Sequence, residues 1–319
     1  MTRPAPEAVR RVAVVGTGTI GASWAALFLA RGLHVTASDP APDAAERLGG
    51  FIKRAWPALE RLGLATGARA DAWRMASGPE EAVAEAEFVI ENAPERIELK
   101  QELYARLDAA TPAETIIASS TSALPMTEIQ ARCRHPERTV TAHPFNPPHL
   151  IPLVELVGGE RTAEETIAWC ERFFAGLGKV TIRLKREIYG HIANRMQSAI
   201  FREAVHLIAE GYASVEDVDK AIAYGPGLRW AIFGPCLTFH LGGGDGGMAH
   251  FFAQFGPWME ERWQGLGTPR LTAETQARII DGVTAEAAGR PIHALAAERD
   301  ACLIELIAAL SRARDRTAT

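Results

Sequence analysis

The chain has 319 residues, of which 47% are apolar and 23% charged, and its formal net charge at pH 7 is −5. This length exceeds one ordinary hydrophobic core and predicts two domains, and the composition is that of a soluble globular protein. The negative net charge gives no general attraction to nucleic acids or anionic membranes, and no apolar run is long enough to span a bilayer.

The cysteines and the start of the chain exclude further classes of protein. Four cysteines are scattered without CxxC spacing, which argues against a zinc site or a disulfide framework (Cys133, Cys170, Cys236, Cys302). No signal peptide is expected, because the first six residues lack an apolar segment. The sequence therefore predicts a cytoplasmic protein without a metal.

A stretch rich in glycine near the start of the chain predicts a turn that binds a dinucleotide. A β-branched apolar run, 12–15, precedes three glycines in the spacing G-x-G-x-x-G, and a segment rich in Ala and Leu that favours a helix follows. Gly16 permits a tight turn, Gly18 lets the backbone approach a pyrophosphate, and Gly21 allows close packing of the helix. The unpaired N–H groups at the helix N-terminus would then face the phosphates.

Asp39 directly follows the second predicted strand, 34–38, about twenty positions after the glycines. A carboxylate at this point can hold the ribose 2′-hydroxyl of a dinucleotide and would repel a 2′-phosphate, so it favours NAD over NADP. The alternative is that Asp39 caps the next helix, before Pro40.

Strands and helices alternate through the rest of the first 187 residues. A helix is predicted over 44–64, kinked or divided by Pro57, and 65–76 is ambiguous, with a short helix as the interpretation. The further predicted strands are 87–92, 115–119, 138–143, 150–157 and 179–184. The further predicted helices are 94–107, 126–132 and 162–177. This alternation predicts an α/β fold, a doubly wound parallel-type sheet with helices on both faces.

After Glu187 the pattern changes to helical periodicity broken by Gly-rich turns, with no convincing strand over 188–310. The predicted domains are therefore an α/β domain, 1–187, and an all-α domain, 188–319.

Polar clusters follow the predicted strands at the edge where open α/β sheets bind ligands. After the fourth strand, Glu95 and Lys100 are expected on the first turns of a helix; the alternative is an acidic helix start with a surface lysine. Residues 119–122, Ser-Ser-Thr-Ser, end another strand, and their hydroxyl groups could also cap the next helix.

His143 ends a predicted strand, and the stiff segment 144–148 after it fixes where the ring points. Glu155 lies in the next, otherwise apolar strand, where strand pairing could place it against the imidazole. A carboxylate buried there is costly without a partner, and a His–carboxylate pair fixes the tautomer and raises the basicity of the ring. A lone histidine at a strand end would more often be structural, but the pair predicts a general base.

Together these motifs resemble the 3-hydroxyacyl-CoA dehydrogenase superfamily, in order and over nearly the whole chain. They are the glycine turn, Glu-Asn-Ala-Pro-Glu-x4-Lys, Ser-Ser-Thr-Ser, His-Pro-Phe-Asn-Pro, Leu-Val-Glu-Leu-Val and the helix with Asn194-Arg195. The resemblance implies a Rossmann domain that binds NAD, a helical domain that forms a homodimer interface, and reversible oxidation of an alcohol in a small molecule.

The resemblance also implies residue roles. His143 would be the catalytic base and Glu155 its orienting partner, while Ser122 and Asn194 would donate hydrogen bonds to the reacting oxygen and Asn146 would contact the substrate. The implied contacts to NAD are Gly16, Thr17, Gly18, Thr19, Ile20, Gly21, Asp39, Ala93, Glu95, Lys100 and Ser120.

Departures from the CoA-using pattern favour the branch of the superfamily that oxidises small free 3-hydroxy acids. Pro144 stands where CoA-using members typically have Phe, Ser120 where they have Asn, and Tyr189-Gly-His191 where they have Pro-Gly-Phe. Tyr189 and His191 are unusual even in that branch. Four segments look most like the members that oxidise L-carnitine to 3-dehydrocarnitine: 55–60, 227–230, 241–248 and 254–257.

A quaternary ammonium such as that of L-carnitine is attracted to aromatic faces, by roughly 0.5–2 kcal/mol each. The candidates are Phe145, Trp230, Phe233 and Phe239, each of which could instead belong to the core or a dimer interface. Arg229 could pair with a substrate carboxylate or be structural. Oxidation of L-gulonate, the substrate of other members of this branch, is the alternative; it would demand polar groups for several hydroxyls, in which this aromatic set is poor.

Two further hypotheses compete with oxidation of a small free acid. One is a 3-hydroxyacyl-CoA dehydrogenase, and the second is a catalytically vestigial NAD-binding structural protein. The presence of Ser122, His143, Glu155 and Asn194 argues against the vestigial protein.

Overall fold

The computed structural model describes residues 3–317, apart from the side chains of Asp315 and Thr317. The predicted absence of a signal peptide concerns a segment whose first two residues, Met1 and Thr2, lie outside the described residues. The chain forms two compact units. The first runs through Asn194 and includes Asp300–Ala308, and the second comprises Arg195–Arg299 and the residues from Ala309 onward.

An eight-stranded sheet forms the centre of the first unit. Its strands are β1 (Arg11–Val15), β2 (His34–Ser38), β3 (Trp73–Met75), β4 (Phe88–Glu91), β5 (Ile116–Ser119), β6 (Thr139–Pro144), β7 (Leu153–Val157) and β8 (Val180–Arg183). Their order is β3-β2-β1-β4-β5-β6-β7-β8, and neighbours pair in parallel except β6 and β7, which are antiparallel. Strands β2 and β3 lie on one side of β1, and β4 to β8 lie on its other side. The order in which the chain adds strands therefore reverses between β1 and β4, and such sheets bind ligands at this switch point. The predicted doubly wound, Rossmann-type fold is confirmed.

Helices cover both faces of this sheet. They are α1 (Thr19–Ala30), α2 (Ala44–Leu62), α3 (Pro79–Val83), α4 (Ile97–Ala110), α5 (Met126–Ile129) and α6 (Glu164–Gly176). In β1, Val12 and Val14 belong to the core shared with α1, α2 and α6, whereas Ala13 and Val15 belong to the core shared with α3, α4 and α5. Since successive side chains point to opposite faces, burial on both sides explains the continuous apolar run.

Two predicted elements around α2 differ from the structure. Pro57 does not divide α2, which is continuous over 19 residues and buries an apolar stripe that includes Leu48, Ile52 and Leu59. Packing of that stripe stabilises the helix and offsets the loss of the backbone hydrogen bond that the proline removes. The short helix predicted within 65–76 is wrong, because Trp73–Met75 forms the edge strand β3 by pairing with β2. A three-residue strand has no periodicity by which sequence could reveal it.

Two short features near β4 also differ from the prediction. Helix α3 is not predicted from the sequence, because five residues are too few to show helical periodicity. Helix α4 begins at Ile97 rather than at Pro94, so Lys100 lies in its first turn but Glu95 precedes it. The intervening residues form a loop, in which the amide of Arg96 donates to the carbonyl oxygen of Pro94.

From residue 193 onward the described chain forms seven α-helices. They are α7 (Ala193–Ala209), α8 (Val215–Ala223), α9 (Pro226–Trp230), α10 (Pro235–Gly242), α11 (Gly247–Gln264), α12 (Ala273–Ala287) and α13 (Ile292–Thr317). Ser214 and Thr272 cap α8 and α12 by accepting from the amides of Asp217 and Thr275. No strand follows β8 as far as residue 317, which confirms the predicted all-α C-terminal part. Nor does any helix within the described range have the length and apolar character needed to cross a membrane.

Candidate active site

The turn between β1 and α1 has the conformation that its glycines predict. Gly16 has a φ of +87°, in the left-handed region, and a Cβ there would lie 2.8 Å from the carbonyl oxygen of Asn92. A Cβ on Gly21 would lie 1.9 Å from the carbonyl oxygen of Gly16, so α1 closes onto the turn itself. Gly18 immediately precedes α1, and a Cβ there would meet no heavy atom within 4 Å. The turn is thus shaped for a phosphate group to approach its backbone at the helix N-terminus.

Asp39 braces this turn from the carboxyl end of β2. Its Oδ2 accepts hydrogen bonds from the amide (2.7 Å) and hydroxyl (3.1 Å) of Thr17, and its Oδ1 accepts from the amide of Ala41 (3.0 Å). Asp39 does not cap α2, whose N-cap is Asp43. A cavity of about 530 Å³ opens beside the turn, between Thr17–Thr19 and the α2 residues Arg47 and Phe51. This volume is in the range of ligand pockets, about 300–1000 Å³, so the residues present fit a bound nucleotide.

A buried ion pair lies beneath the loop between β4 and α4. Glu91, which is fully buried, accepts from the ammonium of Lys100 (2.7 Å), the amide of Ala93 (2.5 Å) and the hydroxyl of Ser119 (2.7 Å). Lys100 is 1% exposed and also donates to the carbonyl oxygen of Ala93 at 3.0 Å. The hypothesis of a surface lysine is therefore excluded. Sequence reasoning missed Glu91, although a carboxylate in an apolar strand was also the signal that singled out Glu155.

The hydroxyl cluster after β5 binds side chains rather than capping a helix. Glu95 accepts from the hydroxyls of Thr121 (2.8 Å) and Ser122 (3.0 Å) and from the amide of Ser122. Ser120 accepts from the indole N–H of Trp24, on α1, at 3.0 Å. The N-cap of α5 is a proline, and no hydroxyl caps that helix. The cluster thus connects the loops after β4 and β5 with the helix that follows the glycine turn.

His143 and Glu155 face each other across the antiparallel pair β6–β7. They are partners in the strand register, and His143 Nδ1 lies 2.8 Å from Glu155 Oε2. His143 is 5% exposed and Glu155 is fully buried. A carboxylate only accepts, so Nδ1 carries the hydrogen and Nε2 of the neutral ring holds the lone pair. The contact expected from strand pairing is present, and it leaves Nε2 as the proton acceptor.

The other oxygen of Glu155 binds the segment that leads into α7. Its Oε1 accepts from the amides of Ile192 (2.9 Å) and Ala193 (3.0 Å). Burial would raise the pKa of Glu155, but the hydrogen bonds from His143 and these two amides outweigh it and hold the pKa below its ordinary value. Glu155 therefore remains a carboxylate, and it positions the start of α7, where Asn194 is half-buried.

His191 is a second buried imidazole beside His143, with ring centroids 5.0 Å apart. Its Nε2 lies 3.1 Å from the carbonyl oxygen of Thr121, while its Nδ1 is buried without a hydrogen-bond partner in the described structure. Its φ of +49° lies in the left-handed region. The sequence showed His191 only as a departure from the family pattern. No local pattern predicted that its ring would be buried beside His143.

The remaining predicted substrate contacts fall in both units. Phe145 lies edge-on to His143, with centroids 6.5 Å apart, and Asn146 is exposed in the loop after β6. Arg229 and Trp230 end α9 in the second unit, followed by Phe233, which is 43% exposed.

Comparisons with known proteins identify the family of this chain. The NAD-binding domain model of 3-hydroxyacyl-CoA dehydrogenases matches residues 11–188, and the C-terminal domain model of the same enzymes matches residues 190–267. L-carnitine dehydrogenase of Streptomyces griseus is 56% identical over 97% of this chain and 92% of that protein. L-carnitine dehydrogenase of Streptomyces coelicolor is 53% identical over 96% of each chain.

A solved structure supports the same relationship. The crystal structure of 5-formyl-3-hydroxy-2-methylpyridine 4-carboxylic acid 5-dehydrogenase, an NAD⁺-dependent dismutase, has a TM-score of 0.80 and 30% identity, covering 95% of this chain and 99% of that one. The predicted NAD cofactor and dehydrogenase class are confirmed by these matches. The chain belongs to the 3-hydroxyacyl-CoA dehydrogenase family, NAD-dependent oxidoreductases that act on CH–OH groups.

Proposed function

We propose that this protein oxidises the 3-hydroxyl group of L-carnitine to 3-dehydrocarnitine with NAD. The observation that carries the proposal is the buried pair of His143 and Glu155, a general base in a fold that binds NAD. The relatives named L-carnitine dehydrogenase, which match nearly the whole chain, support the choice of substrate.

NAD fits the residues at the carboxyl edge of β1, β2, β4 and β5. In the proposal the turn Gly16–Gly21 binds the pyrophosphate, Asp39 binds the ribose, and Ala93, Glu95 and Ser120 line the same edge. Lys100 contributes through the buried pair with Glu91, because that pair fixes the loop at Ala93. When bound, NAD would supply the acceptor for the hydride of the carbinol C–H bond.

His143 removes the hydroxyl proton through Nε2. As the ring becomes an imidazolium, its Nδ1–H already points at the Glu155 carboxylate, so the new charge is stabilised without rearrangement. Ser122 and Asn194 are the proposed donors to the substrate oxygen as negative charge develops there. Glu95 holds Ser122 in place by accepting from its amide.

For the rest of the substrate we retain the contacts predicted from sequence. Asn146 and Arg229 would bind polar groups, with Arg229 facing the carboxylate. Phe145, Trp230 and Phe233 are the aromatic candidates.

One substrate panel tests this function. NADH formation is measured with L-carnitine, L-gulonate, 3-hydroxybutyrate and 3-hydroxybutyryl-CoA, and we expect the highest kcat/KM for L-carnitine. A clear preference for the CoA ester would instead identify a 3-hydroxyacyl-CoA dehydrogenase, and a preference for L-gulonate would identify an L-gulonate 3-dehydrogenase. No oxidation of any of them would favour a catalytically vestigial protein.

We also propose that the protein acts in the cytoplasm as a homodimer. Residues 1–187 would be the NAD-binding domain and 188–319 the substrate and dimerisation domain. Large exposed apolar side chains in the second unit support a dimer interface there. They include Tyr224, Leu241, Phe252, Trp258, Trp263 and Ile280.

A further inference from the structure

The backbone that leads into α7 is left-handed at two successive residues. Gly190 has a φ of +76° and His191 a φ of +49°. A residue with a side chain is uncommon in this region, although histidine enters it more readily than most. The next two amides, those of Ile192 and Ala193, both donate to Oε1 of Glu155. The unusual conformation at His191 thus lies directly before the backbone that binds the partner of the proposed base.

The ring of His191 makes one directed contact. It is 3% exposed, and its Nε2 lies 3.1 Å from the carbonyl oxygen of Thr121. Burial, above all, lowers the pKa of His191, so the ring is neutral at physiological pH. A carbonyl oxygen only accepts, so Nε2 carries the hydrogen and donates it to Thr121. The buried Nδ1 finds no hydrogen-bond partner within residues 3–317.

Packing alone does not explain an imidazole at this position. A phenyl ring would fill a similar space without burying an unpaired nitrogen, which costs free energy. His191 also stands where the CoA-using pattern has Phe. What the imidazole adds to a phenyl ring here is the hydrogen bond from Nε2 to Thr121.

This hydrogen bond joins the two loops that carry the proposed donors to the substrate oxygen. Thr121 directly precedes Ser122, whose amide and hydroxyl donate to Glu95. At the other end, His191 lies three residues before Asn194. The ring of His143 is close to the same link, with its centroid 5.0 Å from that of His191. One side chain therefore connects the loop after β5 with the start of α7, beside the proposed base.

We propose that His191 is a positioning residue that holds Ser122 and Asn194 in one arrangement around the substrate oxygen. The inference rests on the proposed function, which assigns the two donors. Donors stabilise the developing negative charge only where they are preorganised, and a displacement of about 1 Å can cost about 10²-fold in rate. His191 acts through the carbonyl group of Thr121 and needs no contact with the reacting atoms.

The first test compares His191→Phe, which keeps a ring but loses the donor, with His191→Gln, which keeps a donor. The amide nitrogen of Gln is as many bonds from Cα as Nε2 of His. Both replacements are less suited than His to the left-handed backbone, so that cost is common to them. His34→Phe, the same substitution at an exposed position of β2, is the matched control.

In His191→Phe we expect kcat for L-carnitine to fall about 10–100-fold, because Ser122 and Asn194 lose their arrangement. KM for L-carnitine and the NADH dissociation constant should change by less than about threefold, since ground-state binding is retained. His191→Gln should recover kcat to within about threefold of the wild type, and His34→Phe should keep it. Unchanged kcat in His191→Phe, or equal losses in the Phe and Gln variants, would overturn the inference.

The second test combines His191→Phe with Ser122→Ala. Ser122→Ala alone should lower kcat by about 10²-fold, as expected for the loss of one donor. If His191 acts by holding the loop at Ser122, the double variant should be no slower than Ser122→Ala. A double variant whose loss is the product of the two single losses would show that His191 acts elsewhere and would contradict the proposal.

The third test needs no turnover. Hydrogen exchange of the peptide 116–124, followed by mass spectrometry without ligand, should be faster in His191→Phe and return to the wild-type rate in His191→Gln. A peptide spanning β1 should exchange equally in all three proteins. If L-carnitine is not oxidised, the proposed function is refuted, and the kinetic tests use whichever substrate of the panel is turned over. Exchange that is unchanged in His191→Phe would overturn the inference whatever the substrate.

Discussion

At the scale of single residues, two buried carboxylates organise the candidate site. Glu91 and Glu155 are each fully buried in a strand, and each accepts hydrogen bonds on both oxygens. Burying a carboxylate is costly unless it is paired and hydrogen-bonded, so each fixes the groups around it. Glu91 fixes a loop of the proposed cofactor edge, and Glu155 fixes both His143 and the start of α7.

Replacing His143 by Ala tests the proposed base directly. We expect kcat for the preferred substrate to fall about 10²–10⁴-fold, the usual loss of general-base catalysis, while NADH binding measured by fluorescence is retained. His135→Ala, which removes an exposed histidine whose Nδ1 lies 3.3 Å from a carboxylate oxygen of Glu137, is the control and should behave as the wild type. Loss of NADH binding in His143→Ala would refute the assignment, and unchanged turnover would favour a vestigial protein.

Lys179 is an ammonium buried without a carboxylate partner among its described contacts. It donates to the carbonyl oxygens of Pro148 and Ile151 and lies 5.5 Å from the ring centroid of Trp24. Burial, with a smaller contribution from the positive charge of Arg31, lowers the pKa of Lys179 from 10.5 to about 7. Below pH 7 the Lys179 ammonium is therefore charged in the folded state, which then bears the full free-energy cost of burying that charge.

This shift predicts how stability changes with pH. Between about pH 7 and 10.5 the unfolded chain binds a proton at Lys179 that the folded chain does not, so rising pH favours the folded state through this group. Urea unfolding of the wild type and of Lys179→Met is measured at pH 7.5 and at pH 9. The free energy of unfolding of the wild type minus that of the variant should be larger at pH 9, by about 1 kcal/mol per pH unit. A difference that stays constant or decreases with pH would contradict the shift.

At the scale of elements, the antiparallel pairing of β6 and β7 brings the proposed base and its carboxylate partner together. Its register sets His143 opposite Glu155 and Thr141 opposite Val157. Because side chains alternate along a strand, a register shift of one residue would move Glu155 to the other face of the sheet. The single antiparallel pairing in this otherwise parallel sheet thus decides whether His143 and Glu155 meet.

The glycine turn gives a prediction at this scale, from two substitutions that separate folding from binding. Gly18→Ala adds a Cβ into open space, so thermal stability should be unchanged. The NAD dissociation constant should rise by at least about tenfold, because the phosphates must approach the backbone at this residue. Gly21→Ala places a Cβ against the carbonyl oxygen of Gly16 and should also reduce stability by about 1–3 kcal/mol.

Thermal unfolding and NADH fluorescence titration measure the two effects. Equal destabilisation by both substitutions, or unchanged NAD affinity in Gly18→Ala, would contradict this account of the turn.

At the scale of the whole molecule, the second unit exposes more large apolar side chains than a monomer usually tolerates. Tyr224 is 78% exposed, Trp258 65% and Leu241 60% in the single chain. Exposed apolar side chains such as these would be covered in the proposed dimer. In sedimentation equilibrium we therefore expect twice the 34.5 kDa mass of one chain, at micromolar concentration and in the absence of substrate. A single-chain mass under these conditions would contradict the homodimer.

The sequence by itself determined what depends on local pattern. The spacing of Gly16, Gly18 and Gly21, the position of Asp39 and the alternation of elements predicted the Rossmann-type fold, and the apolar strand around Glu155 pointed to its pairing with His143. These features follow from short-range rules of periodicity, turn conformation and burial, and they are visible within about twenty residues.

Only the tertiary structure decided contacts between distant segments. Ser122 is held by Glu95, 27 residues earlier, and His191 reaches Thr121 across 70 residues. The burial of Lys179 against the carbonyl oxygens of Pro148 and Ile151 likewise exists only where separate segments meet. The burial and charge of these side chains depend on neighbours from other segments, which no local pattern encodes. These neighbours decide which polar side chains belong to the candidate site and which only hold its residues in place.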